Sequence, residues 1–314
     1  MTQPKVNKPQ DMSKLMKKLK SVCPKCSNAS IKVYLRNIKR LWKLVDSEGD
    51  VPLTGVWLSK PKLFEEYKKK PLKIRRHLST AAVKASQAFK VNGDKWSVQM
   101  YKDSNSYERK RNKNLKTETE TKQWPKKGFK SVAVASKEMM KRVRILLKDP
   151  PTMKVLYKYQ MALVLRLFQD IPFRNTFATL RLSKGDHNYV EIPKKDPIQF
   201  VIKKHKAAKH IGPRTIKLKR GASIFLKKFL KYRKEVVDND FLLNTMKEAQ
   251  MSRATMSKAL HRVTKELLGK SFGSRLIRVL AATSKRKEIE LVQELGHSML
   301  HGNSKQTAQY SRKD

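Results

Sequence analysis

The stretch from Met153 to Phe168 constrains the fold of this chain most, because apolar residues occur on nearly every side of a helix drawn over it. A helix with one apolar stripe lies at a surface, whereas a helix that is apolar all round is enclosed by other elements. The sequence therefore predicts a central buried helix, in a domain that begins near Ser131. Pro172 breaks this helix and leaves Arg174 in the turn that follows.

A small sheet and further helices are predicted after this turn. The short strand candidates, each flanked by turn residues, are residues 180–182, 189–192, 199–202 and 215–218. Helical patterns resume at 222–236 and again after Ser252, which is a candidate N-cap. The last helix is predicted to run from about 285 to 295, with Gly296 as its stop. The predicted fold class is mainly α with a small antiparallel β-sheet (α+β).

A second, N-terminal domain is predicted over residues 27–101. Apolar residues from Ile31 to Val45 recur at steps of three and four, which is typical of one face of an α-helix, with Ser27 or Asn28 as its N-cap. Short helical patterns at 63–67 and 72–91 complete a small all-α unit. The basic residues outside the apolar stripe are candidate DNA contacts: Lys32, Arg36, Lys39, Arg40 and Lys43. The alternative is a solvated charged face on an ordinary core helix.

The first 26 residues are rich in lysine and weakly patterned, which predicts a basic N-terminal tail. Within them Cys23 and Cys26 have the spacing of half a zinc site. A structural zinc normally needs four ligands, and although His77 could be borrowed, no second pair of ligands follows. We therefore expect two unligated thiols, no bound metal and a reducing compartment.

Residues 102–130 join the two predicted domains. Residues 102–128 contain almost no apolar side chains, so they cannot bury a core, and they predict a polar linker. Such a tether would be needed by two domains that hold a duplex from opposite sides. A disordered insertion is the alternative.

The charge of the chain points to a polyanionic partner. Lysine and arginine number 73 against 26 acidic residues, a formal net charge of +47. Such an excess opposes compaction through self-repulsion, so it indicates nucleic acid or an anionic membrane surface rather than a folding device. No apolar run approaches the roughly 20 residues that a membrane span needs. The sequence therefore favours nucleic acid as the partner and no membrane.

The stretch from Gly273 to Tyr310 carries residue types that suit chemistry on DNA. Arg278 lies within an apolar run, His297 follows Leu295-Gly296, and Tyr310 comes late. Transfer of a phosphoryl group from DNA requires a nucleophile in line with the scissile phosphate and fixed donors for its non-bridging oxygens. A tyrosine beside converging basic donors meets both requirements.

This stretch resembles the catalytic end of the tyrosine recombinases, the phage-integrase family. The matching residues are Arg278 with Ala282-Thr283 after it, the run L-G-H-S that contains His297, and Thr307 to Tyr310. Three residues before Arg278 the family usually has a histidine, whereas this chain has Arg275. An arginine can donate to a phosphate but cannot accept a proton. The spacing from His297 to Tyr310 is longer than the family commonly has.

The resemblance also assigns Arg174. The family's first arginine lies in a turn after a buried helix and before the small sheet, where Arg174 stands. Its guanidinium can bind two phosphate oxygens at once. The family commonly has glycine before this arginine and glutamate three residues after it, where this chain has Phe173 and Phe177. The P-F-R-N form looks more like the integrases of virophages and large eukaryotic DNA viruses.

The resemblance further implies a lysine in the turn after the second long strand, which protonates the leaving 5′ oxygen. Residues 203–212 form this turn, and Lys206 fits the family's pattern best, with Lys209 and Lys204 as alternatives. Lys203, Lys204 and Lys209 are also candidate DNA contacts. A basic hairpin that only touches phosphates is the other interpretation.

Taken together, the resemblance implies a helical core-binding domain at 27–101 and a catalytic domain at 131–314. Tyr310 would attack the phosphate and form a 3′-phosphotyrosine, with Arg174, Arg275, Arg278 and His297 around it. No cofactor or metal is implied, because the basic side chains supply the charge. The implied partner is double-stranded DNA, and four protomers bound to two duplexes would exchange their strands.

The implied function is a site-specific recombinase or integrase that inserts a viral or mobile-element genome, which would place it in a host nucleus or a cytoplasmic viral factory. The same chemistry without a partner duplex describes a type IB topoisomerase or a telomere resolvase. A non-catalytic basic DNA-packaging protein is the alternative from another class, since packaging needs only the charge.

Overall fold

The computed structural model describes residues 12–46, 50–113, 115–195, 197–205 and 208–298. The chain divides into two compact units, Met1–Leu115 and Lys116–Asp314. Each unit has a hydrophobic core of its own. That the first unit holds DNA and the second performs catalysis stays a prediction.

Unit 1 is built from helices around an apolar and aromatic core. Its helices are α1 Met12–Val22, α2 Asn28–Trp42, α3 Pro61–Lys68, α4 Leu72–Phe89 and α5 Asp94–Asn112. The predicted N-cap of α2 is confirmed at Ser27, whose side chain accepts a hydrogen bond from the Ser30 amide. Trp96 packs edge-on against Tyr67 and Phe64, with ring centroids 5.1 and 5.3 Å apart.

The predicted N-terminal tail is wrong from Met12 onward, since α1 is part of the core of unit 1. Leu15 and Leu19 are fully buried. They are four residues apart and therefore lie on one face of the helix. The lysines that surround them remain on the exposed side, which is why lysine-rich composition concealed an amphipathic helix.

The expectation of unligated thiols is also wrong, because Cys23 and Cys26 form a disulfide in the turn between α1 and α2. The Cys26 amide donates to the Cys23 carbonyl at 2.9 Å. This tight turn brings the two Cα atoms to 5.4 Å, which lies within the range that a disulfide can bridge.

The predicted linker is largely helical. Its first residues belong to α5, and α6, Glu118–Gln123, follows shortly after in unit 2. Asp103 of α5 is only 1% exposed. Its carboxylate accepts hydrogen bonds from the Tyr67 hydroxyl and from the side-chain amide of Gln99. It also pairs with Arg75 of α4 at 3.1 Å. A buried carboxylate is costly unless it is paired, so these partners fix α5 to α3 and α4.

In unit 2 the other elements pack around a central buried helix, as the sequence predicts. Its remaining helices are α7 Lys130–Leu146, α8 Met153–Asp170, α9 Ala208–Ile211, α10 Arg220–Lys234, α11 Arg253–Leu268, α12 Ser274–Ser284 and α13 Arg286–Ser298. Most side chains of α8 are buried, on all sides of the helix. The predicted N-cap of α11 is confirmed, because the Ser252 hydroxyl accepts from the Thr255 amide at 3.0 Å.

The sheet has four strands in the order β1-β2-β3-β4. They are β1 Leu180–Arg181, β2 Asn188–Glu191, β3 Gln199–Ile202 and β4 Arg214–Lys217. Each strand overlaps its predicted range. The antiparallel prediction holds for β2, β3 and β4, whereas β1 pairs with β2 in parallel, so the sheet is mixed.

The predicted fold class, mainly α with a small sheet, is confirmed. No helix in the described part of the chain has the length and apolar character that crossing a bilayer would require.

Replacing Asp103 by alanine should destabilise unit 1 strongly. The change leaves the Arg75 charge and the Tyr67 hydroxyl without their shared partner, and breaking a buried ion pair costs about 3–5 kcal/mol. Urea denaturation followed by tryptophan fluorescence would measure it. The control is Asp94→Ala in the first turn of the same helix, which should cost less than about 1 kcal/mol. An Asp103→Ala variant no less stable than this control would contradict the buried network.

Candidate active site

Arg174 is presented by a turn that leaves the C-terminal end of α8. It is the N-cap residue of a short 3₁₀ helix, Asn175–Thr179, and its side chain is exposed. The Asn175 side chain donates to the Arg253 carbonyl at 2.8 Å, which ties the turn to the start of α11. The turn therefore has a fixed position even though Arg174 itself faces solvent.

Phe173 and Phe177, on either side of Arg174 in the chain, anchor this turn to the core. Phe177 is fully buried, and its ring lies 5.1 Å from that of Phe168 in α8 and 5.3 Å from that of Phe173. These are the positions where the resembled family has glycine and glutamate. In this chain the two side chains hold the turn through packing, so Phe177 takes no part in binding a charged group.

Arg275 and Arg278 project from α12. Residues three apart lie on the same side of a helix, and the buried residues Leu276, Ile277 and Leu280 occupy its other side. Arg275 is exposed, whereas Arg278 is half-buried. Ala282 and Thr283, which complete the resembled motif, are exposed, and the Thr283 hydroxyl donates to the Val279 carbonyl. Burial of the opposite side thus directs both arginines into one region.

Arg174 and Arg275 lie close enough to Arg278 for their charges to act on it. Burial, followed by the charges of Arg174 and Arg275, lowers the pKa of Arg278 below its ordinary value. Its Nε atom is buried and has no hydrogen-bond partner among the described residues. Like charges gathered around an unpaired donor make a site that an anion would stabilise, since guanidinium groups bind two anionic oxygens at once.

One carboxylate lies beside this arginine cluster, by which we mean Arg174, Arg275 and Arg278. Glu120 of α6 approaches Arg275, with Oε1 to Nη2 at 3.3 Å. Among the described residues no other ion pair involves the cluster. Sequence reasoning missed Glu120 because it placed this segment in a linker. The signal was present, because Thr117 and Glu120 have the spacing of a helix capping box, which the structure forms.

The basic hairpin between β3 and β4 is described in part. Lys203 lies 5.8 Å from the Tyr189 ring centroid, and Lys204 pairs with Asp186 at 3.2 Å. Buried Asn188 holds the Lys204 backbone by two hydrogen bonds. Lys206 lies outside the described residues, and so does the side chain of Lys209. The choice of general acid within this hairpin stays a prediction.

The end of α13 corrects one expectation. The helix continues through Gly296 to Ser298, so Gly296 is not its stop. Glycine in a helix costs only about 1 kcal/mol relative to alanine, which the neighbouring turns can offset. His297 therefore lies on this helix, while its side chain and the whole of Tyr310 are outside the described residues. Their catalytic roles stay predictions.

The predicted DNA-contact face of α2 is exposed. Buried Ile31, Leu35 and Ile38 lie on the opposite side of this helix. None of the five basic residues pairs with a carboxylate in the described part of the chain, and all are exposed. They are Lys32, Arg36, Lys39, Arg40 and Lys43. The geometry leaves these charges free for a polyanion, and their role as DNA contacts stays a prediction.

Comparison with known proteins gave structural similarities only. No family model matches the chain, and no curated protein sequence matches it. The structure is similar to that of XerA recombinase, with 12% identity over 97% of this chain and 95% of that chain, and a TM-score of 0.36. It is also similar to the XerH site-specific recombinase bound to difH substrate in a pre-cleavage complex, with 16% identity over 96% and 91% and a TM-score of 0.42.

Replacing Arg278 by methionine should separate stability from anion binding. The change removes a buried unpaired donor and a repelling charge, so without an anion the free energy of unfolding should stay constant or rise by about 1–2 kcal/mol. Stabilisation by sulfate, measured as a rise in Tm, should fall, because the cluster loses its central member. Arg142→Met is the control, since Arg142 is paired with Glu138 and Glu266 in the same unit. Equal sulfate responses of both variants would contradict an anion site at Arg278.

Proposed function

We propose that this protein is a tyrosine-type DNA strand transferase, a site-specific recombinase or integrase. The observation that carries the proposal is the arginine cluster. Half-buried Arg278 has an Nε without a hydrogen-bond partner among the described residues, and the charges of Arg174 and Arg275 help to lower its pKa. These are the arginines that the sequence motifs selected. A phosphate in DNA supplies the negative charge and the acceptor oxygens that such a cluster lacks.

The proposed role of the arginine cluster is to stabilise negative charge that develops on the scissile phosphate. As a nucleophile attacks the scissile phosphate, negative charge builds up on its non-bridging oxygens. Arginines held in place before the reaction stabilise that charge without having to reorganise. Because Arg278 is half-buried, its interaction with the phosphate is less screened by water than that of an exposed arginine.

Tyr310 is the proposed nucleophile. Its phenolic oxygen loses its proton to solvent and forms a bond to phosphorus as the bond from phosphorus to the 5′ oxygen breaks, which leaves a 3′-phosphotyrosine and, once that oxygen is protonated, a free 5′ hydroxyl. The 5′ hydroxyl of a second strand then attacks this linkage and releases Tyr310. One ester replaces another at each step, so the energy of the phosphodiester is retained and no nucleotide is consumed.

A proton must reach the departing 5′ oxygen, and we assign this step to a lysine of the hairpin. Lys206 is the first candidate, with Lys209 and Lys204 as alternatives. His297 would donate a hydrogen bond to a non-bridging oxygen. Loss of such a general acid usually lowers the rate by roughly two to four orders of magnitude.

The partner proposed for unit 1 is the same duplex. The exposed face of α2 carries five cations without carboxylate partners among the described residues. Each phosphate neutralised by such a side chain releases counterions and strengthens binding at low salt. We further propose that four protomers act on two duplexes and that the substrate is a viral or mobile-element genome, as the P-F-R-N form around Arg174 suggests.

The experiment that tests this function uses a nicked suicide duplex, which traps a covalent intermediate. Wild-type protein should form an adduct that survives denaturant and is destroyed by protease. Tyr310→Phe should bind the duplex as tightly as wild type and form no adduct, because only the phenolic oxygen is lost.

Two outcomes would contradict the proposal. An adduct that persists in Tyr310→Phe would place the nucleophile elsewhere. Tight DNA binding by wild type without any adduct, on duplexes that contain the chain's own recombination site, would favour a packaging protein.

A further inference from the structure

Segment α6, Glu118–Gln123, is attached to the loop before α12, the helix that carries Arg275 and Arg278. α11 ends at Leu268 and is capped by Gly269, whose φ of 65° is a left-handed conformation that glycine adopts without strain. In the loop that follows, the Lys270 amine donates to the Lys122 carbonyl at 2.9 Å. The Ser271 amide donates to the Gln123 side-chain oxygen at 2.8 Å. Two hydrogen bonds therefore fix the loop before α12 to the end of α6.

The third contact of α6 is the ion pair between Glu120 and Arg275. The Glu120 side chain is only 15% exposed, whereas that of Arg275 is 75% exposed. The second carboxylate oxygen of Glu120 accepts from the Thr117 amide at 2.9 Å and closes the capping box. Because Glu120 is largely buried and its second oxygen is held by the Thr117 amide, it is the fixed partner, and Arg275 is the side chain that is being oriented.

We infer that Glu120 is a positioning residue that holds Arg275 ready for the scissile phosphate. The inference rests on the proposed function and adds a residue to its site. Without Glu120, the long and exposed side chain of Arg275 would be repelled by Arg278, three residues further along the same side of α12. Glu120 offsets this repulsion and keeps the guanidinium near the cluster.

The geometry of the pair leaves Arg275 able to bind a phosphate. Glu120 contacts a single terminal nitrogen, Nη2, at 3.3 Å, and a guanidinium carries five N–H donors. The remaining donors are available to an anion. A carboxylate that bound both terminal nitrogens would instead compete with the phosphate for the same face of the guanidinium.

The first test compares three variants on the suicide duplex at saturating DNA. Glu120→Gln keeps an acceptor for the cap and removes the charge. Its single-turnover cleavage should fall by roughly 10- to 100-fold, because a small misplacement of a catalytic group has effects of that size. Its DNA affinity should be equal or higher, since a negative charge is lost. Glu118→Gln, the same change at an exposed position of α6, should stay within about twofold of wild type. Thr117→Ala removes the hydroxyl that accepts from the Glu120 backbone amide but keeps the Thr117 backbone amide that holds the Glu120 carboxylate, so it should also stay within about twofold.

The second test measures order at Arg275 directly and needs no catalysis. NMR relaxation of the Arg275 Nε–H group in the free protein should show a restricted side chain in wild type, Glu118→Gln and Thr117→Ala. In Glu120→Gln it should become as mobile as an unpaired surface arginine. The Tm of each variant shows whether the protein is still folded.

The outcomes separate this inference from the function on which it rests. Unchanged cleavage or unchanged Arg275 order in Glu120→Gln would overturn the positioning role, and faster cleavage would show that Glu120 inhibits instead. An equal loss of cleavage in Thr117→Ala would assign the effect to folding of α6 and also overturn it. If wild type forms no adduct, the proposed function fails, while loss of Arg275 order in Glu120→Gln would still establish the orienting contact.

Discussion

The packing that brings Arg174 and Arg275 close to Arg278 is the constraint on which the candidate active site depends. Burial lowers the pKa of half-buried Arg278, and the like charges of Arg174 and Arg275 lower it further. The arrangement persists because the elements that carry it are fixed by apolar packing. Phe177 anchors the turn after α8, and Leu276, Ile277 and Leu280 anchor α12. The hydrophobic core thus holds in place a charge cluster whose mutual repulsion an anion would relieve.

The polar contacts around the cluster fit the same account. Glu120 supplies a single negative charge and is itself fixed by the capping box of α6. Thr264 holds the loop before α12 by bonding both backbone groups of Phe272. Fixed donors are what distinguish a catalytic phosphate site from a merely basic surface, because donors that need not reorganise stabilise a transition state most. By contrast, the cations of α2 are solvent-exposed and suit binding rather than catalysis.

The contrast between local sequence patterns and contacts distant in the chain explains what the sequence could and could not predict. The all-round apolar pattern of α8, the strands and the cap at Ser252 were predictable because each is a local signal. The helices α1 and α5 were missed because lysine and polar residues dominate them, and their burial depends on a few positions such as Leu19 and Asp103. The parallel pairing of β1 depends on contacts distant in sequence. Motifs selected Arg174 and Arg278, whose catalytic roles stay predictions, whereas no motif selected Glu120, which only the fold brings to Arg275.

The central claim is that the arginine cluster stabilises negative charge on the scissile phosphate, and one substitution in the DNA tests it most directly. A methylphosphonate at the scissile position keeps the phosphorus centre but carries no negative charge. Arg278→Ala should lose roughly two to three orders of magnitude in cleavage of an ordinary suicide duplex, as removal of one fixed donor typically does. On the methylphosphonate duplex, the loss relative to wild type should largely disappear. An equal loss on both duplexes would contradict the account, because Arg278 would then act on something other than the charge of the phosphate.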